Sequence, residues 1–194
     1  MLFLLFGSSG SGKTAALDVV RGRVPRLLCH DFDEIGVPVD ADRRWRQEAN
    51  EEWLHRVLVS QADGLDVLLA GQTPFGELLA PPSAGELDVL TALLLDCSDE
   101  VRQARLEGRR DVPLDDLLSW AAWMRGHAAD PRWRPDVIRS DAADQLRWER
   151  WSSWERGNPH WRVRVLDTSE LTIAEVAGEI VAWIEDERSV YGTR

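Results

Sequence analysis

The stretch GSSGSGKT, residues 7–14, follows five apolar residues, LFLLF, and holds the only lysine of the chain, Lys13; every other basic residue is arginine. Gly7, Gly12, Lys13 and Thr14 match the spacing G-x-x-x-x-G-K-[ST], with a strand-like run before it and a helical pattern after it. Glycines there permit a tight turn whose backbone N–H groups converge on phosphate oxygens, and the following helix adds its partial positive charge. In such a loop Gly7, Ser8, Ser9, Gly10, Ser11 and Gly12 cradle the phosphates. Lys13 reaches the β- and γ-phosphates, and the Thr14 hydroxyl ligates Mg²⁺. The segment predicts a nucleoside triphosphate site with Mg²⁺.

HDFDE, residues 30–34, follows the second apolar run. Carboxylates at i and i+2 leave a strand on the same side, so Asp31 and Asp33 point together. One would help position Mg²⁺ or accept a proton from an attacking hydroxyl, and the other would anchor a hydroxylated acceptor. The third run ends LLAGQT, with Ala70, Gly71 and Gln72 where a metal-binding Asp is often found; Gly71 and Gln72 are expected to approach the acceptor. ALLLD ends at Asp96, which suits either the surroundings of Mg²⁺ or a helix cap shared with Ser98. SDEVRQARLEGRR, residues 98–110, repeats Arg102, Arg105 and Arg109 near one helix face. Arg105 and Arg109 are the expected pair for clamping phosphates and stabilising charge on the transferring group.

These residues need a frame to hold them. Strand-length apolar runs at 2–6, 26–30, 66–70, 91–97 and 162–166 alternate with helical patterns near 12–21 and 42–63. Continuous apolar strands imply a sheet covered on both faces, and β-α alternation makes it parallel. A last helix is announced by a capping box, Thr172-x-x-Glu175, and an apolar stripe through Ile173, Val176, Ala177, Ile180, Val181 and Ile184. Residues 71–86 are expected to form a loop with one short helical turn. Residues 108–160, rich in Arg and Trp and interrupted by four prolines, have no strand-like run and suggest a helical lid or insert. Seven of the ten tryptophans lie in residues 120–161: Trp120, Trp123, Trp133, Trp148, Trp151, Trp154 and Trp161. They would pack the insert onto the body or line an aromatic acceptor pocket. His127 and His160 are too isolated for a metal site and are expected in loops.

The chain has 194 residues, the size of one domain, and a net charge of −11. Residues 100–164 carry 13 Arg against 11 Asp and Glu; the rest carries 10 basic against 23 acidic residues. An acidic body disfavours nucleic acid as a partner but leaves room for a small anion held by local arginines. The first apolar run is too short to span a membrane and lacks the flanks of a secretory signal, so a cytoplasmic location is expected. Cys29 and Cys97 read as two buried thiols.

The P-loop, the D-x-D after the second strand, the Gly ending the third, LLLDCSDEVRQARLEGR and the closing DTSELTIAEVAGEIVAWI resemble the small P-loop kinases. That group includes shikimate kinase, gluconate kinase and chloramphenicol phosphotransferase, within the nucleoside-monophosphate-kinase-like superfamily. The likeness covers roughly residues 1–110 and 161–187, and residues 120–161 match no acceptor motif. It implies a three-layer α/β/α P-loop NTPase with a five-stranded parallel sheet, a flexible lid, MgATP as donor and phosphoryl transfer to a small hydroxylated acceptor. Lys13, Thr14, Asp31, Asp33 and the lid arginines fall where that group uses such residues. The resulting expectation is a single kinase domain over 1–194, with a core at 1–107 and 161–187 and a lid at 108–160, acting as a monomer or homodimer. The metal side falls to Thr14 and Asp31, the acceptor side to Asp33, Gly71 and Gln72. Alternatives are a nucleotide-dependent regulatory NTPase and a toxin-like kinase of a nucleotide sugar.

Overall fold

Leu2, Leu4 and Phe6 turn to one face of the central strand and Phe3 and Leu5 to the other, and all five are at most 1% exposed. Such a strand must be covered on both sides, which is why its sequence shows no polar alternation. In this computed structural model, which describes residues 1–107, 113–140 and 143–192, five parallel strands run in the order β2-β3-β1-β4-β5. They are β1 (Leu2–Phe6), β2 (Leu27–Asp31), β3 (Asp66–Gly71), β4 (Leu90–Asp96) and β5 (Val163–Asp167).

The helices are α1 (Lys13–Val20), α2 (Arg43–Ala62), α3 (Phe75–Leu79), α4 (Asp99–Leu106), α5 (Leu114–Ala129), α6 (Asp136–Arg139) and α7 (Ile173–Tyr191). Phe3 and Leu5 pack with Leu17 of α1 and Ile180 and Ile184 of α7 in one core. Leu2, Leu4 and Phe6 pack with Trp53 of α2 and Met124 of α5 in the other. The fold is therefore a three-layer α/β/α sandwich. The capping box at the start of α7 is formed: Glu175 N donates to the Thr172 hydroxyl, and Thr172 N to the Glu175 carboxylate at 2.8 Å. No helix of the described residues is long and apolar enough to cross a membrane.

Three local expectations change. Residues 71–86 hold the one short helical turn expected, α3, and add a 3₁₀ turn, Pro82–Glu86, and side chains from α2 reach both. Arg46 grips Glu77 of α3 through two hydrogen bonds, and Glu51 accepts from the Ser83 hydroxyl at 2.8 Å. Cys29 is half-buried, since β2 is an edge strand; Cys97 is buried, and neither is bridged.

His127 is the third change: it lies in α5, not in a loop. Trp120, Trp123 and His127 stack along that helix with centroids 4.8 Å apart at each step. Trp151 and Trp161 close on His127 edge-on, and Phe75 of α3 meets Trp161 at 5.1 Å. The insert thus shares its core with the sheet, so the packing role foreseen for its tryptophans holds for Trp123, Trp151 and Trp161.

Burial pushes the His127 imidazole down from the ordinary 6.5 to about 4; the backbone at Trp133 and the Asp130 charge offset this only in part. Among the described residues neither ring nitrogen has a partner in hydrogen-bond geometry. Its neutral form suits the folded state, so this contribution is complete above pH 6.5 and is lost as pH falls toward 4. The stake is about 3 kcal/mol at 1.36 kcal/mol per pH unit. Urea titrations at several pH values should show wild type losing roughly that much more stability than His127→Gln between pH 7 and pH 4.

Candidate active site

The C-terminal edge of the sheet is where an open α/β fold places its ligand, in the crevice between strands whose connections diverge. Here β1 leads away to β2 at one edge and β4 leads to β5 at the other. The glycine-rich loop 7–12 leaves β1 at that crevice. A Cβ on Gly7 would stand 2.3 Å from the Leu95 carbonyl oxygen, so only glycine allows the loop to leave the strand so close to β4. Gly12, with φ +93°, precedes α1 and contributes no side-chain cap, so the first turn of that helix offers its N–H groups to the loop's interior.

Lys13 folds over this loop, donating to the Ser8 carbonyl at 3.1 Å and to the Ser11 hydroxyl at 3.4 Å. The Thr14 hydroxyl donates to Asp31 Oδ2 at 3.2 Å, bringing the end of β2 to the start of α1. Asp31 Oδ1 accepts from Asp33 N at 3.1 Å and caps a short 3₁₀ turn, Phe32–Ile35. Loss of solvation raises the Asp33 carboxyl above the ordinary carboxylate value, the Asp31 charge raises it further, and Lys13 opposes both. Those three side chains therefore share one electrostatic environment.

Gly71 is buried, and a Cβ on it would come within 2.7 Å of Phe32 Cβ. Its place in the structure is to let the aspartate-bearing turn lie against β3. Gln72 is exposed at the end of that strand.

Arg105 is exposed and reaches back to the loop. It donates to the Gly10 carbonyl at 3.2 Å and, at 2.9 and 2.6 Å, to the Thr168 hydroxyl and carbonyl. Arg109 lies outside the described residues. Arg102, fully buried, donates to the Ser9 carbonyl at 2.6 Å and to Asp96, tying the loop to the end of β4. The other Asp96 oxygen accepts from Arg125 of α5, which also pairs with Asp99. Asp96 therefore anchors two arginines, and Ser98 caps α4 alone through Val101 N.

Sequence reasoning gave Arg125 and Thr168 no role. The Thr168 hydroxyl lies 3.2 Å from the Ser11 carbonyl and 3.0 Å from that of Asp96, beneath the loop. Only the presence of Thr168 in the closing DTSEL was a hint; nothing local marks Arg125.

Ser8 Oγ donates to the Leu117 carbonyl at 3.2 Å, seating α5 on the loop. Three residues on, Trp120 lies under the Arg46 guanidinium, 5.6 Å from ring centroid to Cζ. Trp45, beside Arg46 on α2, meets Phe32 edge-on at 6.1 Å. One turn past Arg46, Asn50 is fully buried with both amide atoms unpartnered, as is the Thr73 hydroxyl just before α3. Among the described residues no three His, Cys, Asp or Glu side chains converge to hold a metal. Thr14 and Asp31 together offer a hydroxyl and a carboxylate, a donor set suited to Mg²⁺ shared with substrate phosphates and water.

No protein-family model matches the chain, and no curated protein matches it. Solved structures do. A sugar kinase from Janibacter sp. HTCC2649, determined unliganded, superposes with a TM-score of 0.59 at 16% identity, over 95% of this chain and 94% of that one. The tunicamycin resistance protein of Deinococcus radiodurans gives 0.59 at 15% identity, over 94% of each chain. The chain shares the fold of these two structures. Within that fold the loop at 7–14, the turn at 31–35 and the start of α5 meet at one edge of the sheet, through the contacts of Thr14 with Asp31 and of Ser8 with Leu117.

Proposed function

We propose that the protein is a phosphotransferase that moves the γ-phosphoryl group of MgATP to a hydroxyl of a small acceptor. The observation that carries this reading is the contact of Thr14 with Asp31, beside an α1 N-terminus that no side chain caps. The loop N–H groups and Lys13 bind the phosphates, with Lys13 leaving the Ser8 carbonyl for the β/γ oxygens. Thr14 and Asp31 hold the metal, which when bound neutralises charge on those oxygens. Asp33, raised in pKa on the same turn, accepts the acceptor's proton as its oxygen bonds to the γ-phosphorus and the bond to the β–γ bridging oxygen breaks.

Arg105 exchanges its loop carbonyl for a phosphate oxygen, and Arg109 shares the clamping of the phosphates. The acceptor lies between Asp33 and Gln72 on one side and Trp45, Arg46 and Trp120 on the other. The chain is proposed to work in the cytoplasm on a small molecule rather than on nucleic acid.

A thermal-shift screen of hydroxylated metabolites, run with and without a non-hydrolysable ATP analogue and Mg²⁺, tests this. An acceptor should raise Tm more with the analogue than without it, by mass action on the folded state. A chain whose Tm ignores both MgATP analogue and every acceptor would contradict the proposal.

A further inference from the structure

At the edge of the sheet opposite the P-loop, a cavity of about 820 Å³ opens over the starts of the strands. It is walled by Arg26 before β2, Asp66 at the head of β3, Asp88 before β4 and Arg162 before β5, with Gln61 of α2 and Tyr191 of α7. No part of the proposed phosphoryl transfer uses it. Most of its charges are already matched. Arg188 of α7, which also lines it, pairs with Asp66 at 2.8 Å. Arg26 donates to the Gly64 carbonyl.

Arg162 is the exception. Its guanidinium stacks on the Tyr191 ring, Cζ 4.1 Å from the centroid, and has no carboxylate or carbonyl partner among the described residues. Its Nε is shut off from solvent without an acceptor among the described residues, as is Gln61 Nε2, so the terminal N–H groups of Arg162 are the donors left to a ligand. Both unmet groups are donors; no buried side-chain acceptor is unmet on this lining. A ring face steadies a cation, but it does not replace the hydrogen bonds that a shielded guanidinium loses. Three arginines face two aspartates here, in a protein whose net charge is −11. With Arg188 and Asp66 joined, Asp88, exposed at the rim, is the remaining carboxylate that would oppose an anion.

We infer that this cavity is a second ligand site, taking a small anion that offers only acceptors, a carboxylate or a phosphoryl group, on the terminal N–H groups of Arg162. Arg162 would hold it through the free edge of a guanidinium oriented by Tyr191, the geometry that suits two-oxygen anions. The site is remote from the P-loop and stands whether or not phosphoryl transfer is the protein's reaction.

Inorganic phosphate and citrate, each titrated at constant ionic strength while Tm is followed, separate the two sources of anion. Wild type should show a saturable rise with at least one of them. Arg162→Gln should move the midpoint of that rise at least about tenfold, the fold-change of one charge-assisted hydrogen bond. Phosphate taken by the P-loop would stabilise both proteins alike and cancels in the comparison. Tyr191→Leu, which removes only the stacking platform, should weaken the same response and carries the test if Arg162→Gln does not fold. Equal titrations for wild type and variants, or no saturable rise with either anion, would overturn the inference.

Discussion

Lys13→Ala is expected to slow phosphoryl transfer by at least about 10²–10³-fold, the effect of removing one preorganised donor from developing charge. The lysine is the only one in the chain and sits on the loop whose other cations are held elsewhere. Arg102 is locked between Ser9 and Asp96, and Arg105 is braced on Thr168, so neither can take over at the β/γ-phosphates without breaking a structural contact. The variant should fold normally, because Lys13 contributes hydrogen bonds to the loop and is no member of the hydrophobic core. Circular dichroism and thermal unfolding, measured beside the transfer rate, separate the two effects. Full activity in a folded Lys13→Ala protein would mean that the loop does not serve the reaction.

Asp33→Asn is expected to lower transfer by about 10²–10⁴-fold, the range for loss of a general base, while leaving affinity for the MgATP analogue within a few-fold of wild type. Asp31→Asn should behave differently. It removes the carboxylate bonded to Thr14, so its first effect is a raised Mg²⁺ requirement. It also removes the like charge that helps hold Asp33 up, so the acid limb of the pH–rate profile should move to lower pH. The sign follows from the base having to be ionised: a lower Asp33 pKa keeps it ionised further into acid. Two variants with the same Mg²⁺ dependence and the same acid limb would argue against dividing the roles between these aspartates.

The parts of this architecture that sequence reveals are those set by neighbours along the chain. LFLLF reads directly as a strand buried on both faces, and β1 spans those five residues. The Thr172–Glu175 box and the apolar stripe after it mark α7 because a helix writes its start and its buried face locally. The pairing of Thr14 with Asp31 was accessible because a parallel sheet delivers the ends of its strands to one edge.

What escaped was side-chain pairing between segments far apart. Arg125 reaches Asp96 across 29 positions and Arg46 reaches Glu77 across 31, and in neither case does a repeat or motif announce the partner. For the same reason the 3₁₀ turn that follows α3 went unannounced: side chains from α2 reach both. The tryptophans of the insert show both sides. Trp120 and Trp123, three residues apart on α5, stack because neighbours along one helix meet, but the contact of Trp161 with Phe75 and the burial of His127 depend on chain closure.

The most direct test is ³¹P NMR of the protein with MgATP and the acceptor chosen by thermal shift. Phosphoryl transfer predicts a new phosphoester resonance growing in step with ADP, absent with Lys13→Ala. ADP accompanied only by inorganic phosphate, at a rate that the acceptor does not change, would contradict it.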